Sequence, residues 1–220
     1  MTDHLTDEEQ LRVLKHWWKK NGSSLVTAVF IGVMAYIGFQ WWQNYQQQQA
    51  EQASALYSEL LKTIGVEHNN TLPDEKKNTA RYLIKQLKDN YKSSQYATNA
   101  SLFAAKMFVD AHDLKAAEQE LLWATDHARE HLKPLIQLRL ARVYVAQEKY
   151  PEALSIVDQK LVEQFGSLYA ELKGDILAAQ QDWENARVAY QQANGTLENT
   201  SSFRRNLLPI KLSNLPAGKK

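Results

Sequence analysis

From Gly22 to Trp42 the sequence carries no ionisable side chain except the phenol of Tyr36. About 20 predominantly apolar residues of helix cross the hydrocarbon core of a bilayer, and a helix buried in a globular core rarely needs so long an uncharged run. Indole rings flank the run, Trp17 and Trp18 before it and Trp41 and Trp42 after it, with Tyr45 a turn further on. Amphipathic rings favour the headgroup level, so these pairs are read as two aromatic belts. A cleavable export signal would have an apolar centre of about 7 to 15 residues followed by a small-x-small site. Here the exit is Gly38-Phe39-Gln40-Trp41-Trp42, mostly bulky, and the segment is expected to persist as an anchor.

Orientation follows from the basic residues near each end. Arg12, Lys15, Lys19 and Lys20 precede the span, and only Lys62 lies at a comparable distance after it. The positive-inside rule then puts the short N-terminal tail in the cytoplasm and the larger C-terminal part across the membrane. Asp7, Glu8 and Glu9 cancel much of the tail's charge but weigh little in that rule. No other segment is long and apolar enough to span, so a single-pass protein is expected.

The rest of the 220-residue chain is long enough for one domain with a real hydrophobic core. Its formal net charge is +1, with charged residues spread along the sequence, which excludes the basic footprint of a nucleic-acid binder. The absence of cysteine excludes disulfides and thiolate metal sites without fixing the redox compartment.

After Trp42 the chain turns polar, with no Gly or Pro until Gly65, and good helix formers dominate. The membrane helix is therefore expected to continue as a stalk. Ala53, Leu56, Tyr57, Leu60, Leu61 and Ile64 fall at i, i+3, i+4, i+7, i+8 and i+11, an apolar stripe that must pack on something. "GVEHNNTLP" is read as a loop. Pro73 with Asp74 and Glu75 opens a second helix through about Leu87, since proline suits a first turn and acids suit its positive end.

Beyond residue 94 three segments superimpose, starting at Phe103, Arg139 and Leu172. Small residues recur at Ala105, Ala141 and Gly174, large apolar ones at Phe108, Tyr144 and Leu177 and again at Leu114, Tyr150 and Trp183, and alanine at Ala117, Ala153 and Ala186. The spacings are 36 and then 33 residues. A helix-turn-helix unit with a period of about 34 resembles the tetratricopeptide repeat. Leu121, Val157 and Tyr190 continue the second helices, and Ala124 and Ala193 match the small residue near its end, where Lys160 departs from the pattern. The predicted fold is all-α: a single transmembrane helix followed by a tetratricopeptide-like α-solenoid. Residues 1–21 form the tail, 22–43 the transmembrane helix, 44–93 a stalk and divergent helix pair, 94–198 three degenerate repeats, and 199–220 a capping helix with a frayed end.

Two features invite a site. His127-Ala128-Arg129-Glu130-His131 fits H-x-x-E-H, in which two helical histidines hold zinc. It falls at the C-terminal end of a repeat's second helix, where His and Arg suit the dipole, and no metal site is assigned. No nucleophile elbow, phosphate loop or catalytic cysteine occurs, so no catalytic residue or cofactor is assigned either. The other feature is the concave face that stacked first helices present to peptides. By register Leu102, Lys106 and Val109, then Leu138, Arg142 and Val145, then Glu171 and Asp175 face it. An alternative assignment places those leucines and valines in the inter-repeat core and leaves the charges to solvent. Within the membrane, Ala28, Gly32 and Ala35 form a small-residue strip at i, i+4 and i+7 that could seat a partner helix, a spacing that also arises by chance.

The tail "LKHWWKKNG", the anchor, the polar stalk, the repeats "LRLARVYVAQEKYPEAL" and "ELKGDILAAQQDWENARVAY" and the terminal "KLSNL" together resemble the YfgM family, ancillary subunits of the bacterial SecYEG translocon. The resemblance covers nearly the whole chain in order. It implies an inner-membrane protein whose repeat domain is periplasmic. Its partners would be the SecYEG translocon, the membrane-anchored prolyl isomerase PpiD and exported unfolded chains, which it would help to pass to periplasmic chaperones. The family offers no catalytic residues. Two other classes compete: a regulator that sequesters a cytoplasmic signalling protein through its N-terminal tail, and a membrane-tethered zinc hydrolase built on His127 and His131.

Overall fold

The structure, a computed structural model of the chain, describes residues 7–65, 73–158, 165–195 and 202–216. Helices joined by turns make up these residues, with no strand among them. The chain divides into two compact units, Met1–Gln52 and Ala53–Lys220.

Helix α1 (Asp7–Ile64) is continuous over 58 residues. At about 1.5 Å of rise per residue, its uncharged run from Gly22 to Trp42 covers roughly the 30 Å of a hydrocarbon core. In the first unit the apolar side chains stand free: Phe30 is 65% exposed and Trp41 70%. A core helix of a soluble protein would bury them, so this one fits a single-pass membrane anchor. The Trp18 indole packs over Gly22, where an added Cβ would lie 3.2 Å from the ring.

In the second unit the end of α1 is followed by α2 (Asp74–Asn90) and by three helix pairs, then by a terminal helix. The pairs are α3 (Gln95–Asp110) with α4 (Leu114–His127), α5 (Lys133–Ala146) with α6 (Tyr150–Val157), and α7 (Gly166–Ala179) with α8 (Trp183–Gly195). Helix α9 (Ser202–Ser213) ends the described chain. Each helix from α2 onwards packs on the next, as expected of a solenoid whose repeats cannot bury their apolar faces alone. Ala53 and Leu60 of α1 are fully buried with Ala80, Leu83 and Leu87 of α2 and Ala97 of α3. Leu61 departs from the stripe expected of it and is 50% exposed, because it lies one residue off the buried line. The loop expected around residues 66–72, the departure at Lys160 and the fraying expected of residues 217–220 lie outside the described residues.

Alanine holds the pairs together. Ala105, Ala117, Ala124, Ala141 and Ala153 are buried in one core cluster that runs from α3 to α7. Tyr169 on α7 is 2% exposed, and its hydroxyl donates to the Pro134 carbonyl on α5 at 2.7 Å. Burial pushes that phenol up to about 12. Ser101, fully buried on α3, places its hydroxyl 2.6 Å from the Glu120 carboxylate, which Lys88 of α2 grips with both oxygens at 2.8 and 2.7 Å.

The turn inside each pair is the same three times. His112, Glu148 and Gln181 adopt positive φ of 59°, 61° and 64°. The next amide reaches back to the carbonyl of the large repeat residue, Asp113 to Phe108, Lys149 to Tyr144 and Asp182 to Leu177, each at 2.9 Å. This is the left-handed helix stop usually made by glycine. Asp113 and Asp182 then cap the following helix by accepting from Ala116 and Asn185, whereas Lys149 has no capping side chain.

Two outcomes follow. Glu148→Gly should raise stability by about 0.5–1 kcal/mol, since a Cβ in the left-handed region costs about 1–2 kcal/mol and glycine returns part of that as chain entropy; Glu148→Val should lower it, both read from urea midpoints. The raised Tyr169 phenol contributes stability that is fully present below the unfolded value near 10 and is lost as pH rises through its folded value of about 12. Tyr169→Phe should make the loss of thermal stability between those limits shallower, while costing about 1 kcal/mol at neutral pH for the missing hydrogen bond.

Candidate peptide-binding surface

Between α3 and α5 lies an open cavity of about 340 Å³. Leu102, Lys106 and Val109 form the α3 wall at i, i+4 and i+7, and Arg139, Arg142, Val143 and Ala146 form the α5 wall. Leu114 and Leu121 of α4 reach its floor, next to Ala105. The floor is apolar and the rim is basic, with Lys106, Arg139 and Arg142 all exposed. Lys106 is held at 2.5 Å by Asp110, one turn along its own helix. Among the described residues no carboxylate lines the cavity.

Of the residues assigned to this face by register, Leu102, Lys106, Val109 and Arg142 line the cavity. Leu138 does not: at 1% exposed it belongs to the core and offers nothing to a ligand. Val145 packs half-buried against the same core. The two walls of one groove are opposite sides of equivalent helices, so α5 uses positions turned about one residue, roughly 100°, from those of α3. A period of 36 therefore carries Leu102 to Leu138, while the wall is built from Arg139. That rotation also hid Arg139, Val143 and Ala146; their i, i+4, i+7 spacing was the available signal.

Glu171 and Asp175 on α7 are engaged from α9. Lys211 donates to Glu171 at 2.9 Å and to both oxygens of Asp175 at 2.7 and 2.8 Å. The Tyr190 hydroxyl of α8 donates to Asp175 as well, at 2.7 Å. Burial, and then the neighbouring Asp175 carboxylate, raises the Tyr190 phenol well above its ordinary value. Leu208 of α9 is fully buried against Ala170, Tyr190 and Ala193, and Pro209 lies inside the helix without ending it.

The H-x-x-E-H pattern is broken by the backbone. Helix α4 stops at His127, Ala128 is extended with ψ of 151°, and His131 lies on a separate 3-10 turn, Glu130–Leu132. The two histidines therefore do not share one helix face. His127 instead stacks on Trp123 with ring centroids 4.1 Å apart and bonds the Trp123 carbonyl at 2.8 Å. No group of three or more potential metal ligands occurs among the described residues. Ala28, Gly32 and Ala35 are exposed on α1, and a Cβ at Gly32 would meet nothing within 4 Å.

A family model described as a tetratricopeptide repeat-like domain matches residues 15–217. A protein of Haemophilus influenzae named ancillary SecYEG translocon subunit is 32% identical over 98% of this chain and 100% of its own length. The chain belongs to this family. Other ancillary SecYEG translocon subunits, from Neisseria gonorrhoeae at 30% identity and Escherichia coli at 29%, cover 98% and 95% of the chain and 100% and 96% of their own lengths. No solved structure matches it.

In this chain the third repeat solves the helix approach differently from the other two. The positions equivalent to Gly174 are Ala105 and Ala141, buried in one cluster with Leu121 and Val157, whereas Tyr190 faces Gly174, where a Cβ would lie 2.5 Å from the tyrosine ring. Gly174→Ala should therefore destabilise the domain by about 1–3 kcal/mol through overpacking. Adding Tyr190→Leu should recover part of the loss, because it restores the arrangement of the first repeat. A double-mutant cycle on urea midpoints checks the coupling.

Proposed function

We propose that this chain is a membrane-anchored adaptor of the bacterial SecYEG translocon. Its N-terminus is cytoplasmic and its repeat domain periplasmic. It associates with the membrane-anchored prolyl isomerase PpiD, holds newly exported, unfolded chains and helps them pass to periplasmic chaperones. The observation that carries the translocon association is full-length similarity to proteins named ancillary SecYEG translocon subunits. Topology is supported by the basic residues Arg12, Lys15, Lys19 and Lys20 before the span. Chain holding is supported by the apolar, basic-rimmed groove between α3 and α5. The role needs no reaction: tethering beside a channel raises effective concentration on an emerging chain to about millimolar for a short tether, so modest affinity suffices. The exposed strip Ala28, Gly32 and Ala35 is where a partner's transmembrane helix would approach most closely.

Photo-crosslinking residues placed one at a time at Gly32 and at Val109 in living cells test the assignment. Adducts to a translocon subunit from Gly32 and to a secretory chain or PpiD from Val109 are expected. Failure to capture any translocon subunit from Gly32 or its neighbours around α1 would overturn the association. A phosphatase fused after Lys220 should be active only if that end is outside the cytoplasm.

A further inference from the structure

We propose that the groove between α3 and α5 selects extended segments of unfolded polypeptide in which a carboxylate lies next to apolar side chains. The inference rests on the adaptor reading for the source of the peptide, and on the chemistry of the groove for its preference. The cavity, about 340 Å³, lies near the lower end of the range for ligand pockets, about 300–1,000 Å³. It receives a few side chains of an extended strand, whereas a helix about 10 Å across would not enter. Leu102 and Val109 on one wall, Ala146 on the other and Leu114 below supply the apolar surface within reach of a ligand, with Leu121 and Val143 buried beneath it.

The rim supplies the selection. Arg139 and Arg142 lie three residues apart on one turn of α5, exposed, and neither forms an ion pair with any described residue. Guanidinium groups match carboxylates with two parallel hydrogen bonds. Several other charges that border clefts or helix contacts are paired within the domain. In the neighbouring cleft between α2 and α3, Lys88 is paired with Glu120 and Lys85 with Asp89. On α7, Glu171 and Asp175 are taken by Lys211. Arg139 and Arg142 stand beside an apolar cavity without such a partner, and their complement is an acidic ligand. Rim charges of this kind chiefly set specificity and on-rate, and salt screens them.

The test uses the full chain in nanodiscs of uncharged lipid and a short labelled peptide in which leucine and aspartate are spaced by glycine and serine. Fluorescence anisotropy compares it with asparagine and lysine versions. The aspartate peptide should bind roughly tenfold tighter than the asparagine one at low salt, the effect of two exposed ion pairs. Both should converge in about 1 M salt, where screening acts within about 3 Å. The double variant Arg139→Gln, Arg142→Gln should bind the two alike, and Arg142→Glu should favour the lysine peptide, a gain that a misfolded domain could not show. Equal binding of aspartate and asparagine peptides by the native chain, or a preference that survives in the double variant, would overturn the proposal. Neither result touches the Gly32 crosslinks; loss of those with the peptide preference intact would overturn the adaptor reading alone.

Discussion

Paired helices in the repeat domain approach one another through alanine and glycine, and most of its surface chemistry follows from that closeness. Ala105 and Ala117 in the first pair, Ala141 and Ala153 in the second, and Gly174 and Ala186 in the third are all buried. Small residues at the crossing let backbones come together, so dispersion contacts are gathered over many atoms instead of a few large side chains. Larger residues are displaced to the edges of each pair. Phe108, Leu114, Tyr144 and Tyr150 are only partly buried and pack on the rim of the alanine core. The third pair shows how strict the geometry is, since introducing the Tyr190 ring required removing a Cβ opposite it.

Close pairing also explains what was legible in the sequence. The repeat was visible because small and large positions alternate at a fixed period, and packing enforces that period directly. The anchor was visible for an equally direct reason: an uncharged run long enough for a bilayer has few other uses. The turns were not visible. His112, Glu148 and Gln181 take a backbone conformation that usually announces itself through glycine or asparagine, and here the hydrogen bonds of neighbouring amides hold it in place against an unfavourable side chain. The groove was half visible. Equivalent positions identify equivalent environments only within one helix pair, and a groove lies between two, so the period leads to Arg142, which lines the cavity, and to Leu138, which is buried in the core.

The terminal helix has an electrostatic role as well as a packing one. A solenoid that simply stopped after α8 would leave the apolar edge around Tyr190 and Ala193 open, and Leu208 closes it. Lys211 meanwhile places one ammonium between two carboxylates that would otherwise repel each other a turn apart on α7. Both partners are partly shielded, the Glu171 side chain to 13% exposure and that of Lys211 to 24%, so solvent screens their attraction less than that of a surface pair, at a larger desolvation cost. As a result Lys211 offsets one of the two negative charges on α7, while α5 keeps two guanidinium groups that form no ion pair with a described residue.

That asymmetry matters for how such a domain would handle a moving chain. A uniformly apolar surface would hold any unfolded segment and release it slowly, since affinity differences among related ligands are mostly differences in off-rate. A shallow groove with rim charges behaves otherwise, because exposed ion pairs speed encounter more than they delay departure. Tethering then supplies the occupancy that weak contacts cannot. For the proposed adaptor a deep pocket would bring little: tight binding would keep a chain beside the channel from which it must move on. The limited groove of α3 and α5 is therefore consistent with a protein whose location contributes more to its action than its affinity does.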